Sequence, residues 1–291
     1  MRRPFLAYAL LSPAIVAVIF LIAYPLWVAV NVSTREGRTM NIARLDRLPR
    51  GWGNFERILD EPANWEALLR SAIYVVGSVL PAFLIGLGLA LLLNRAFPAR
   101  RWIRSLMMLP WAVPGVVTSI AFLWLLDGSY GVVNSILRTL GLMSGDVAWY
   151  ARQETAMFAV IVPTVWKGFP FFALTLLAAM QAIPHTLYEA ARIDGASARD
   201  QFRYVTWPGI RGPALLAVIL HSLWVFKELD IIFAATGGGP AGATETLALR
   251  VYLEAFQFFR LGSASAMGLM MMALCAALVL LALPRLRARF F

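Results

Sequence analysis

The sequence predicts an all-α membrane protein with six transmembrane helices. Three observations predict it. The 291 residues are 60% hydrophobic and only 14% charged, about half the charged share of a soluble domain. The apolar residues gather in runs of about 20, the length that spans a bilayer. Those runs do not alternate, so they read as helices and not as barrel strands, the other structure that satisfies its backbone polar groups in lipid.

The elements follow in order. Residues 5–30 carry no charge, which far exceeds the roughly 7–15-residue core of a signal peptide, so this run reads as an uncleaved first span. A polar, mixed-charge stretch at 31–69 is long enough for one or two short helices in an external loop. Spans two and three, 70–93 and 105–126, flank a basic loop, 94–104. Pro110, Trp111 and Pro114 open span three, where packing is their expected role and shaping a cavity the alternative. Spans four, five and six occupy 157–180, 210–234 and 262–284. Gly262, Ala266 and Met267–Met272 give span six a small, adaptable face of the kind that permits close approach of a partner helix. No separate soluble domain is expected, so residues 1–291 read as one transmembrane domain.

Orientation comes from arginine counts in the short loops. Arg95, Arg100, Arg101, Arg104, Arg192, Arg199, Arg203, Arg285, Arg287 and Arg289 lie on one side, and Arg2 and Arg3 join them. The opposite short loops hold Arg138, Arg152, Arg250 and Arg260. Both termini and the segment around 189–208 are therefore expected in the cytoplasm. The net charge of +10 is explained by arginines flanking apolar runs, so nucleic acid is not an expected partner.

Several chemistries find no residues to carry them. The chain has no G-x-x-x-x-G-K-[ST] loop to cradle a nucleotide phosphate. Cys275 is the single cysteine and lies in an apolar run. The two histidines, His185 and His221, fall in a loop and a span and are not expected to share a metal. No catalytic or metal residue is assigned, no cofactor is expected on this chain, and an enzyme reading lacks a nucleophile–base set.

The most informative stretch sits between spans four and five. Pro184 suits a first helical turn, and Leu187, Ala190 and Ala191 fall on one helical face. Gly195 supplies a left-handed stop, and Ser197 with Asp200 is a capping pattern for a second short helix. The expected product is helix, glycine turn, helix, with Pro208 marking entry to span five. An ordinary amphipathic loop would also meet this spacing.

Glu189-Ala190-Ala191, Gly195, Val205 and Pro208, with nine residues between Gly195 and Val205, resemble the EAA motif of permease subunits of bacterial ABC importers. Val205 and Trp207 stand where that family usually has Ile and Leu. The continuation Asp194-Gly195-Ala196 resembles the carbohydrate-uptake branch, as does Thr236-Gly237-Gly238-Gly239-Pro240 followed by Ala243-Thr244-Glu245-Thr246-Leu247. This second motif is similar to the F-type subunit of maltose permeases, and the resemblance covers nearly the whole chain.

The resemblance implies a type I importer permease fold in a bacterial inner membrane. It implies that 185–208 is a cytoplasmic coupling helix and loop, with Glu189, Ala190, Ala191, Asp194, Gly195 and Pro208 engaging an ATPase dimer that binds ATP and magnesium. It also implies a second, G-type permease subunit and an external solute-binding protein. The substrate path, carried over from the F-type subunit, falls on Thr164, Lys167, Gly168 and Phe171 in span four. In span five it falls on His221, Trp224, Val225 and Glu228.

The residues themselves support a path there. Ionisable groups inside spans default to functional roles, and Lys167, His221, Lys227, Glu228 and Asp230 cluster in spans four and five. Gly168 and Pro170 are expected to loosen span four. His221, Trp224, Val225 and Glu228 are spaced to share one helical face. Lys167 has three open readings: an ion pair with Glu228, a contact to an anionic cargo group, or snorkelling to an interface. Lys, His and Glu stand where the family has neutral side chains, which argues against a neutral malto-oligosaccharide. The expected function is import of a sugar or sugar derivative, with an anionic cargo one open case. An ion-driven transporter would need two repeated halves with broken helices, which the sequence does not display.

Overall fold

The computed structural model describes residues 4–39 and 42–290, with side chains described for 10–39 and 43–284. Arg2 and Arg3 lie outside the described residues, as do the side chains of Arg285, Arg287 and Arg289. Five helices are long and apolar enough to cross a membrane, and a sixth crossing is a pair of helices bent by 97°.

The first span joins α1 (Pro4–Val18) and α2 (Tyr24–Ser33) through a π-helical stretch at Ile19–Ala23. Helix α3 (Gly53–Asp60) provides a short helix expected in the 31–69 stretch. Span two is α4 (Pro62–Leu93), which begins eight residues before the expected start at 70. Then come α5 (Arg100–Met107), α6 (Leu109–Ala112), α7 (Gly115–Leu125) and α8 (Val132–Thr139). Span four is α9 (Gln153–Gln181), followed by α10 (His185–Ile193) and α11 (Ala198–Gln201). Span five is α12 (Trp207–Phe226), with α13 (Asp230–Ala235) and α14 (Leu247–Phe256) after it, and span six is α15 (Leu261–Phe290).

Two spans depart from expectation for physical reasons. Span three breaks between Ala112 and Gly115 because Pro114 offers no N–H and forces Val113 into an extended conformation, ψ 131°. Span five stops at Phe226 instead of running to 234. Lys227, Glu228 and Asp230 would put three charges on an arc of about 160° of a continuous helix, and charges inside a span are costly. The chain instead ends α12 at Lys227 and restarts at Asp230, an acid in the first turn of α13.

The described residues form two compact units. One holds the chain up to Glu66 together with Arg250–Leu274. Its apolar centre is Ile58, Ala266 and Met267, with Phe55, Val251 and Met270 packed around it. Asn54 Nδ2 donates to the Ser33 and Arg35 carbonyls, both at 2.8 Å. A Cβ at Gly262 would lie 1.9 Å from the Arg35 carbonyl oxygen, so only glycine fits there. The small residues Gly262 and Ala266, together with Met267, expected to meet a partner helix, are thus spent on packing within this unit.

The second unit holds Ala67–Leu249 and the helix from Cys275 onward. Its core is the buried face of α9, including Val160, Phe172, Leu176 and Leu177, against Tyr74 and Ala82 of α4 and Ile210 and Ala217 of α12. A Cβ at Gly86 would sit 2.5 Å from the Phe172 Cβ and 2.9 Å from the Phe169 carbonyl oxygen, so α4 and α9 touch backbone to backbone. Tyr74 and Thr164 share a buried hydrogen bond of 2.6 Å between their hydroxyls. Ser119 of α7 donates to the Ile231 carbonyl of α13 at 3.0 Å.

Candidate translocation site and coupling segment

The break in span three creates a local problem. Ending a helix leaves its last carbonyls without partners, and α6 ends inside an apolar chain. Lys167 of α9 meets this need: its ammonium donates to the Val113 carbonyl at 2.7 Å and to the Trp111 carbonyl at 3.2 Å. A cation at a helix C-terminus also suits the helix dipole. Among the described residues Lys167 makes no ion pair with Glu228. In place of the pairing expected as one reading, the ammonium caps backbone carbonyls.

Beside Lys167 lies a cavity of about 110 Å³, lined by Trp111, Thr164, Lys167, Gly168, His221, Trp224, Val225, Glu228 and Ile231. Seven of the eight residues expected on the path line it; the eighth, Phe171, stands one layer behind. Its ring stacks on His221 with centroids 5.6 Å apart and meets Trp224 edge-on at 5.0 Å. Trp111 lines the cavity too, so packing is not its whole role. Ile231 had no sequence signal, since it reaches the cavity only because the chain turns back after Phe226. Glu228 does not share a helical face with His221, because it lies beyond the end of α12. It reaches the cavity from the turn instead. Lys227 and Asp230 do not line it.

His221 is the least ordinary of these side chains. It is only 7% exposed, packed by Phe171, Phe172 and Trp224, and neither ring nitrogen has a hydrogen-bond partner. A buried polar group without a partner is costly. A Cβ at Gly168 would fall 2.5 Å from His221 Nε2. Gly168 thus serves close approach of α12 to α9. It does not loosen span four, which runs unbroken through Gly168 and Pro170.

The segment after span four has the expected construction. Pro184 is the N-cap of α10 and Asp194 its C-cap. Gly195 has φ +78°, the Ala196 N–H bonds the Ala191 carbonyl at 2.9 Å, and the Gly195 N–H bonds the Arg192 carbonyl at 3.1 Å. That pair of bonds closes the helix end around a left-handed glycine. Ser197 and Asp200 cap α11 reciprocally. Tyr188 and Thr206 share a hydroxyl hydrogen bond of 3.0 Å that ties α10 back to the start of span five. The outer side is open: Glu189, Ala190 and Asp194 are exposed, and Ile193 is 87% exposed. Glu189 pairs with His185 at 3.0 Å, both side chains being exposed. A second cavity, about 460 Å³, is lined by Ile183, Leu187, Tyr204, Val205 and Pro208 among others.

The comparisons with known proteins meet this geometry. The family described as binding-protein-dependent transport system inner membrane component matches residues 82–289. The chain belongs to that family. This permease component is 33% identical over 272 residues to the sulfoquinovosyl glycerol transport system permease protein SmoG of Agrobacterium fabrum, covering 92% of this chain and 86% of that one. It is 34% identical to the trehalose/maltose transport system permease protein MalF of Thermococcus litoralis, covering 90% and 85%. Its fold matches a bacterial ABC transporter involved in the import of the acidic polysaccharide alginate, with a TM-score of 0.83 and 21% identity, covering 100% of this chain and 98% of that one. The permease is a multi-pass inner-membrane component with the importer fold that its sequence resembles.

Proposed function

We propose that this permease forms half of the path by which a binding-protein-dependent, ATP-driven importer moves a sugar derivative across the membrane. The observation that carries the reading is the single cavity that gathers Thr164, Lys167, Gly168, His221, Trp224, Val225 and Glu228 from two spans. The aromatic rings of Trp111 and Trp224 in the lining suit sugar rings, while His221 and Glu228 offer polar groups to orient hydroxyls. About 110 Å³ falls below the roughly 300 Å³ of a small-ligand pocket, so the site needs a facing wall. A second permease subunit of the G type would supply it.

In this reading both termini and 185–208 are cytoplasmic and 31–69 is external. The exposed outer side of α10, with Glu189, Ala190, Ala191, Asp194 and Gly195, docks on a separate ATPase dimer that binds ATP and magnesium; Pro208 fixes the entry to span five. ATP favours the closed dimer, and that difference in affinity biases the permease between its two states. An external solute-binding protein delivers cargo. The alginate transporter was crystallised with an alginate-bound periplasmic protein, which supports such a partner for this fold.

An anionic cargo is the second reading. Lys167 keeps one ammonium N–H beyond the two that hold carbonyls. The named cargoes of SmoG and of the alginate transporter include anionic sugars, which supports it. The test is uptake by vesicles carrying the whole importer with its binding protein, supplied with ATP and with neutral, sulfonated or uronate sugars in turn. ATP-dependent uptake of a sugar supports the function, and preference for a charged one supports the second reading. Uptake that ignores ATP and follows an ion gradient overturns the first.

A further inference from the structure

Helix α5 and the turn before it have no part in the cavity or the coupling segment. Residues 94–104 hold Arg95, Arg100, Arg101 and Arg104, and the sequence has no acidic residue from Ala67 to Leu126. At 3.6 residues per turn, Arg100, Arg101 and Arg104 fall within an arc of about 100° on α5. Trp102 and Leu106 fall on the opposite arc, and Leu109 continues it into α6. The apolar arc is not packed: Trp102 is 75% exposed, and Leu106 and Leu109 are exposed as well. Arg95, Arg100 and Arg101 are exposed, and none of the four arginines forms an ion pair among the described residues. Arg104 donates through Nη2 to the Leu93 carbonyl at the end of α4, 3.3 Å away, while its Nε is buried without a hydrogen-bond partner.

Depth decides what covers this face. Helix α4 is a span ending at Leu93, with six residues between it and the start of α5 at Arg100, and α5 leads directly into the bent third span. Residues 94–104 therefore join two crossings at a membrane edge, where a helix with one basic and one apolar arc meets headgroups and acyl chains. Guanidinium groups there meet phosphates, for which their fork of N–H donors is suited. We infer that residues 94–104 form a binding site for the phosphate headgroup of an anionic phospholipid, with Trp102 and Leu106 lying along its acyl chains. Interfacial helices of this pattern bind through buried apolar area together with basic charge. The inference rests on the membrane topology in the proposed function, but not on ATP coupling or cargo.

The test is native mass spectrometry of the full importer complex, after exchange into mixed vesicles of equal phosphatidylglycerol and phosphatidylcholine. The complex should retain phosphatidylglycerol in preference to phosphatidylcholine. Arg100→Gln with Arg101→Gln should reduce that retention by more than about tenfold, at roughly fivefold per arginine. Arg100→Lys with Arg101→Lys should keep most of it, because charge persists. Equal retention of the two lipids by the wild type overturns the site, as does unchanged preference in the glutamine variant. Displacement of the bound lipid by inorganic phosphate would reassign the face to a soluble anion. Loss of the ATPase subunit from the glutamine variant with lipid retention unchanged would reassign it to a protein contact. A complex that keeps its lipid but moves no sugar would count against the proposed function alone.

Discussion

Lys167 and Gly168 are neighbours with opposite duties. Lys167 holds two carbonyls that the Pro114 break leaves open, and hydrogen bonds from a charged donor contribute roughly 1.5–3 kcal/mol each. Lys167→Ala should therefore loosen the third span beside the cavity, and uptake should fall about tenfold or more while the complex still assembles. Unchanged uptake would remove the residue from the path. At Gly168 the constraint is steric. Gly168→Ala should lower stability by about 1–3 kcal/mol, read as a drop in Tm, because its Cβ meets His221 Nε2 at 2.5 Å. Adding His221→Ala should recover part of that loss, and a double-mutant cycle with no coupling would contradict the contact. The identities of these residues as a set were legible from the sequence. Their contacts were not: Lys167 could be matched to Glu228 by charge, but nothing in the local pattern told that Pro114 would leave carbonyls for it to cap. Nor could Gly168 be told from a helix-loosening glycine without seeing His221 beside it.

At the scale of elements, the segment 184–208 was the most legible, because caps and glycine turns are local. The left-handed Gly195, the Ser197–Asp200 box and Pro184 each act within four residues, so sequence spacing determines them. Span boundaries set by long-range packing were less legible. Helix α5 merges basic loop and apolar span, so hydropathy alone hides its two faces, and α12 stops just before the charges Lys227, Glu228 and Asp230, which the surrounding apolar residues mask in the sequence. The element-scale prediction concerns coupling. Glu189 is exposed and paired with an exposed His185, so it contributes little to the chain's own stability. Glu189→Lys should leave the fold and its Tm unchanged yet uncouple ATP hydrolysis from uptake, measured together in reconstituted vesicles. If coupled uptake survived, the docking role of α10 would fail. Gly195→Val forces a β-branched residue to φ +78°, a left-handed conformation costing about 1–2 kcal/mol. It should weaken coupling through the turn while sparing the binding of cargo to its external receptor.

For the whole molecule, what the chain leaves uncovered is as informative as what it buries. The apolar stretch of the first span is exposed or half-buried throughout Leu10–Val30, and Leu278, Leu280 and Leu281 of span six are exposed as well. Lipid covers such surface in any spanning protein, but the small cavity and the open face of α10 call for proteins. The six crossings were legible because hydropathy reports them directly; the division of the described residues into two units was not, since it depends on residues 250–274 joining the chain before Glu66. Membership of the permease family explains why a chain without a nucleotide loop carries so regular a segment between spans four and five. The measurement that tests this most directly is gentle purification of the chain from its native membrane, with mass spectrometry of everything that accompanies it. The account predicts a second six-helix permease and an ATPase subunit carrying a nucleotide-binding loop. Recovery of the chain alone or as a homo-oligomer, with ion-driven uptake in vesicles lacking ATP, would contradict it.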